Sequence, residues 1–212
     1  MDKFRNMRND LLGEKIVKAL EARNMEAYYV ATAAEAVQKA LELMPEGSQV
    51  GWGGSMSIIE CGLKDAVYAG NYDILDRDIT TDPAERTAIA RKIFNSDIFL
   101  TSCNAISEDG IMVNIDGIAN RISAIAFGPA MVIMIVGMNK AVKSETDAMS
   151  RARNEAAPIN AQRFGLDTPC AKTGACYDCK TPGNICCQML ITRYSMVPRR
   201  IKVILVNEDL GF

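Results

Sequence analysis

The sequence predicts an α/β protein with a mostly parallel sheet flanked by helices and an irregular cysteine-rich segment near its end. Segments with helical periodicity alternate with short apolar runs. One run, Ala130 to Val136 (AMVIMIV), is unbroken and branched, as in a strand covered on both faces. No repeat or low-complexity linker interrupts the alternation, so residues 1–212 read as one domain.

Taken in order, Phe4, Met7, Leu11, Leu12, Ile16, Val17 and Leu20 mark an amphipathic helix. Glu26 to Ala31 reads as a strand. Thr32 and Glu35 form a capping box for a helix that stops before Pro45. Ser48 to Trp52 is a strand running into Gly53 and Gly54, with Ser55 placed to cap the next helix. Tyr72 to Leu75 is a further strand. Asp82, Pro83 and Glu85 occupy the N-cap, N1 and N3 positions of another helix. Asp97 to Thr101 and Gly110 to Asp116 are strands separated by the turn SEDG. Ser144 with Asp147 caps a helix that reaches Pro158 or beyond, and Ile201 to Val206 is the last strand.

Composition narrows the chemistry. Net charge is −2 with no basic block, which argues against a nucleic-acid partner. No apolar run is long enough for membrane insertion. The charged first twenty residues carry no signal-peptide core, so a cytoplasmic protein with reduced thiols is expected. The chain has no histidine. Acid–base work must therefore fall to a carboxylate, Lys, Tyr or Cys, and a metal site must rely on sulfur, with carboxylate help at most.

VGWGGSMSIIECGL (50–63) is a strand, a glycine turn and a helix start, the arrangement that brings backbone amides close to an anion. Gly53, Gly54, Ser55 and Ser57 are the candidate ligand-binding residues there. A tight turn requiring small residues explains the same pattern. Glu60 is either a catalytic carboxylate facing the loop or a helix-surface charge.

TSCNAISEDGIMVNIDGIANRISAIAFGP (101–129) interleaves Asn104, Asn114, Asp116, Asn120 and Arg121 with apolar strands. A hairpin explains Glu108, Asp109 and Gly110. It does not explain Asp116-Gly117 and Asn120-Arg121, which gather at a strand's carboxyl end, where open α/β sheets bind ligands. Lys140, in the loop after AMVIMIV, either pairs with an acidic ligand or is a solvated lysine.

The remaining motif is PCAKTGACYDCKTPGNICC (169–187), with Cys170, Cys176, Cys179, Cys186 and Cys187. Its single Cys-x2-Cys lets two thiolates reach one metal, and Gly174 and Gly183 supply the turns. Four thiolates would suit zinc or an iron–sulfur cluster. The spacing differs from the plant-ferredoxin pattern by one residue in the first gap. A Cys176–Cys179 redox pair and inward-packed apolar thiols are the alternatives. Cys61 and Cys103 read as core thiols.

Together with VIMIVGMNKAV, PINAQRFGLDTPCAKTGACYDCKTPGNICC and RRIKVILVNEDLGF, these segments resemble the lactate-utilisation (LUD) domain family, from about Gly13 to Phe212. The chain looks most like the short members with a cysteine segment. The resemblance implies a fold similar to ribose-5-phosphate isomerase and the CoA transferases. It implies a role in oxidation of lactate or related organic acids, with a small anionic ligand and iron–sulfur oxidoreductase subunits as partners. In the related enzymes the glycine loop holds phosphate or CoA, a position matched here by Gly53, Gly54 and Ser55, and an acidic residue works nearby, for which Glu60 and Asp116 are the candidates. Three readings follow: an accessory subunit of organic-acid oxidation, a free-standing enzyme on phosphosugars or CoA thioesters, and a metal-binding or redox interaction module. A homo-oligomer is compatible with each.

Overall fold

The structure is a computed structural model describing residues 3–212. Helix α1 (Lys3–Glu21) is followed by β1 (Glu26–Val30), α2 (Ala33–Leu43), β2 (Gln49–Trp52), α3 (Met56–Glu60) and α4 (Leu63–Ala69). Then come β3 (Asp73–Leu75), α5 (Pro83–Phe94), β4 (Ile98–Thr101), β5 (Ala105–Ser107), β6 (Met112–Asp116) and α6 (Asn120–Ala126). The chain continues through β7 (Met131–Gly137), β8 (Ala141–Val142), α7 (Glu145–Arg151), a π-helical turn over 152–156 and α8 (Ala157–Arg163). It ends with α9 (Pro169–Thr173), β9 (Gln188–Thr192) and β10 (Ile201–Val206).

Six strands form a wholly parallel sheet in the order β1-β10-β7-β4-β2-β3. Along β7, Val132, Met134 and Val136 join one core with α1, α5 and α6, through Ile16, Leu20, Ile93 and Ile125. Ile133 and Ile135 face the opposite core with α2, α3 and α4, through Ala36, Ala40, Ile58 and Leu63. The unbroken apolar run thus serves both faces, as a two-period pleat requires. Each such side chain contributes roughly 1.5–3 kcal/mol on burial.

The helix starts follow local chemistry. Thr32 Oγ1 accepts the Glu35 amide at 3.2 Å, while the Glu35 carboxylate reaches back to the Ala31 amide rather than that of Thr32. Asp82 accepts the Ala84 amide ahead of Pro83, and Ser144 accepts the Asp147 amide. Ser55 occupies an N-cap position but its hydroxyl makes no capping bond, contrary to the sequence expectation.

The strand read from GIMVNID does not extend the parallel sheet. It is β6 of a separate four-stranded sheet ordered β8-β5-β6-β9, antiparallel to β5 and β9. The reason is loop length: four residues separate β5 from β6, enough for a hairpin but too few for a parallel crossover. Three of its strands escape a sequence reading, β5 and β8 because they have only three and two residues and β9 because it follows the cysteine stretch directly. This sheet packs Ala105, Val113 and Ile115 against Ala148 and Ala152.

The helix begun at Ser144 runs to Arg163 through the π turn. Pro158 has no N–H to give a carbonyl four residues back, and the Ala157 amide bonds Ala152 O five residues back. That extra residue turns the face of α8, so that Asn160 and Arg163 look toward the glycine loop. Among the described residues, no helix is long and apolar enough to cross a membrane.

Candidate functional site

A cavity of about 800 Å3 opens where the β2–α3 glycine loop faces α5, α6 and α8. Five arginines line it: Arg77, Arg86, Arg91, Arg121 and Arg163. Asp116 is the one carboxylate among the lining residues, and its oxygens are committed. They accept the amides of Gly117 at 2.9 Å, Arg121 at 2.8 Å and Ile122 at 3.2 Å, which caps α6. The Arg121 Nε stands 3.9 Å away.

The glycine loop admits the arginines. A Cβ on Gly53 would stand 2.3 Å from Arg121 Cγ, so only glycine lets the Arg121 stem lie along the loop. A Cβ on Gly54 would instead enter open space, 3.6 Å from Arg77 Nη2 and 3.8 Å from Arg163 Nη2. Two guanidinium groups therefore converge over one backbone position. Arg77 Nε is buried without a hydrogen-bond partner, its nearest carboxylate oxygen being that of Asp78 at 4.0 Å. Burial lowers the pKa of Arg121; Asp116 opposes that shift, and repulsion from Arg77 and Arg163 adds to it. Arg163 is likewise lowered, first by burial, with Asp78 opposing and Arg77 adding. Cations this crowded favour an anion among them.

A second cavity of about 30 Å3 shares Gly54, Arg121, Asn160 and Arg163 with the first and ends on Lys140. Lys140 is no solvated loop lysine. It is 2% exposed, and its Nζ donates to Ser57 Oγ (2.7 Å), Ser102 Oγ (3.1 Å) and the Cys103 carbonyl (3.2 Å). Burial is the main cause that brings its pKa down to about 8; Cys103 and Glu60 oppose it, and Arg151 and Arg121 add to it. Ser55 lines this cavity with a buried, unpartnered hydroxyl. Ser57 donates in turn to Leu210 O at 3.1 Å, so the 208–212 segment closes one side. Cys103 is buried as expected but also borders the cavity.

The structure brings Gly54, Asp116, Asn120 and Arg121 to the large cavity, and Ser55, Ser57, Asn104 and Lys140 to the small one. Gly53 supports Arg121 from behind. Asn104 Oδ1 accepts the Ile115 amide, and Asn114 is fully buried, donating to Ser102 O at 2.9 Å with its own oxygen unpartnered. Glu60 lines neither cavity; its carboxylate accepts the Gly211 amide and anchors the 208–212 segment. Sequence reading missed Arg77, Arg163 and Ser102. Arg163 lies in the motif PINAQRFG and could have been singled out there. No sequence signal marks Arg77, which arrives only through the turn after β3.

All seven cysteines are free thiols. Cys170, Cys176, Cys179 and Cys186 line a single cavity of about 40 Å3 in the lobe between α8 and β9, while Cys187 is exposed and outside it. Burial, followed by the neighbouring cysteines, raises the Cys186 thiol to about 11. Among the described residues, no group of three Cys, Asp or Glu side chains stands close enough to hold a metal ion as folded.

The fold and site define a class: an α/β protein whose glycine loop opens onto an arginine-lined cavity. The LUD domain profile matches residues 13–206, and the chain belongs to the LUD domain family. It is similar in fold to the crystal structure of a DUF162 family protein from Deinococcus radiodurans. The TM-score is 0.56 at 15% identity, covering 94% of this chain and 98% of that one. No curated protein matches the chain.

Proposed function

We propose that this LUD domain protein binds a small organic anion and serves oxidation of lactate or a related acid beside iron–sulfur oxidoreductase subunits. The observation that carries the reading is the convergence of Arg77 and Arg163 over the open face of Gly54, in a wall whose one carboxylate is already spent on capping α6. Ser55, with its unpartnered hydroxyl, offers the anion a hydrogen bond from the loop. Phe94, Ile118, Phe164 and Ile185 give the large cavity an apolar wall for the uncharged part of the ligand. Asp116, held by three amides, acts here as a cap rather than a base.

A second reading, an enzyme on phosphosugars or CoA thioesters, is favoured by the cavity's size, which falls within the range of sites for drug-sized ligands. Equilibrium binding and thermal melting with lactate, pyruvate, a sugar phosphate and CoA separate the two. Lactate or pyruvate should raise the melting temperature under the first reading, and the sugar phosphate or CoA under the second. Arg163→Gln should weaken binding of the stabilising anion about 10- to 100-fold, as expected for loss of a charge-assisted contact worth roughly 1.5–3 kcal/mol. Absence of any shift with all four ligands would sink the anion site. Complete lactate oxidation by the isolated chain would sink the partner-subunit reading.

A further inference from the structure

The structure assigns Cys170, Cys176, Cys179 and Cys186 to a tetrathiolate site for a single thiophilic metal ion of the zinc type, and leaves Cys187 outside it. This stands independently of the anion cavity.

Three stretches of backbone bring the thiols together. Cys170 comes from α9, Cys176 and Cys179 from the knuckle after it, and Cys186 from the segment entering β9. Left-handed backbone at Gly174 (φ 76°) and Asp178 (φ 51°) turns the chain so that both knuckle cysteines face one cavity. Asn184 ties the two ends: its Nδ2 donates to Cys179 O at 3.0 Å and its Oδ1 accepts the Cys186 amide at 2.7 Å. These bonds fix the backbone of two ligands with no metal needed to hold them.

Polar groups also stand against the sulfurs, and in the Thr168–Cys170 contact either side can donate. The Thr168 hydroxyl lies 3.3 Å from Cys170 Sγ, Arg153 Nη2 4.0 Å from Cys176 Sγ, and the Thr181 hydroxyl 4.0 Å from Cys179 Sγ. Thiols packed purely as apolar filler have no use for such polar neighbours, whereas metal-bound thiolates are supported by polar groups around them. Cys187 differs in each respect. It is exposed, and its thiol donates to Asn184 O instead of facing the ring.

The donor set selects the occupant. Four thiolates, with no histidine in the chain and no open position, make the closed tetrahedral site of a zinc-type ion. Because the thiols stand wider than a ligand shell as folded, binding draws them inward by side-chain rotation, each ligand giving its proton to solvent as the metal–sulfur bond forms.

The test uses the full chain, reduced and stripped of metal, titrated with zinc and separately with cobalt(II). Expected are one zinc per chain and, with cobalt, thiolate charge-transfer bands with the intense visible absorption of a tetrahedral site. Alkylation mapped by mass spectrometry, with and without zinc, needs no variant: zinc should protect Cys170, Cys176, Cys179 and Cys186, while Cys187 reacts either way. Cys186→Ser should lose the cobalt spectrum and Cys187→Ser should keep it. The assignment is overturned by equal reactivity of the lobe thiols with and without zinc, or by protection that includes Cys187 in place of Cys186. Iron with acid-labile sulfide after anaerobic purification, or a Cys176–Cys179 disulfide as the stable resting form, overturns it as well.

Discussion

The arginine cavity and the cysteine ring lie side by side, with Ile185 in the wall of both, yet they are built in opposite ways. The cavity draws Gly54, Arg77, Asp116, Arg121 and Arg163 from across more than half of the chain and mounts most of them at the ends of regular elements. The ring takes its four thiols from residues 170–186, on a short helix and irregular backbone. The cavity's charges are therefore set by topology and held by the two cores. The ring is set by local turns and by side-chain bonds such as those of Asn184. Damage to the fold should disable the first and spare the metal chemistry of the second, and this contrast can be tested.

The largest effect is expected at Asp116. Asp116→Ala removes the acceptor of three amides and the carboxylate beside buried Arg121, which should cost roughly 3 kcal/mol of stability in chemical denaturation. A loss below about 0.5 kcal/mol would show that the cap does not hold the cavity together. Gly53→Ala comes next. Its methyl would meet the Arg121 stem at 2.3 Å, and overpacking of this kind costs about 1–3 kcal/mol. Anion binding should fall with it, while cobalt binding by the ring should not change.

The last effect is a pH dependence confined to the cavity. Lys140 titrates near 8 when folded, against an ordinary 10.5, so burial of its charge destabilises the fold fully below about pH 8. Between those values the unfolded chain binds more protons than the folded one, and stability rises with pH. Lys140→Met should lack that rise in urea denaturation series across the same window. Anion affinity in the parent chain should decline above pH 8 as the ammonium is lost; an unchanged affinity would remove Lys140 from the binding charge.

Much of this architecture is legible in the sequence because its signals are local. Thr32 with Glu35, Asp82 with Pro83, and Ser144 with Asp147 each mark a helix start through bonds spanning two to four residues. The parallel sheet is legible from AMVIMIV and IKVILV, since strands buried on both faces must be apolar throughout. The second sheet is not, because β5 is three residues long and β9 gains its identity only by pairing with β6. The site divides in the same way. Gly54, Asp116 and Arg121 sit in motifs that carry polar groups at element ends. Arg77 and Arg163 look like surface charges until the fold carries them to one point above Gly54. Lys140 looks like a solvated lysine until Ser57, Ser102 and the Cys103 carbonyl enclose it.

The π turn at 152–156 sets the phase of everything beyond it on that helix. One residue corresponds to about 100° of rotation around a helix axis. The same residues wound as an unbroken α-helix would swing Asn160 and Arg163 away from the glycine loop. A chain lacking one residue of the turn could wind as an ordinary α-helix and keep them there. The charge facing Gly54 thus depends on how the helix winds as much as on residue type.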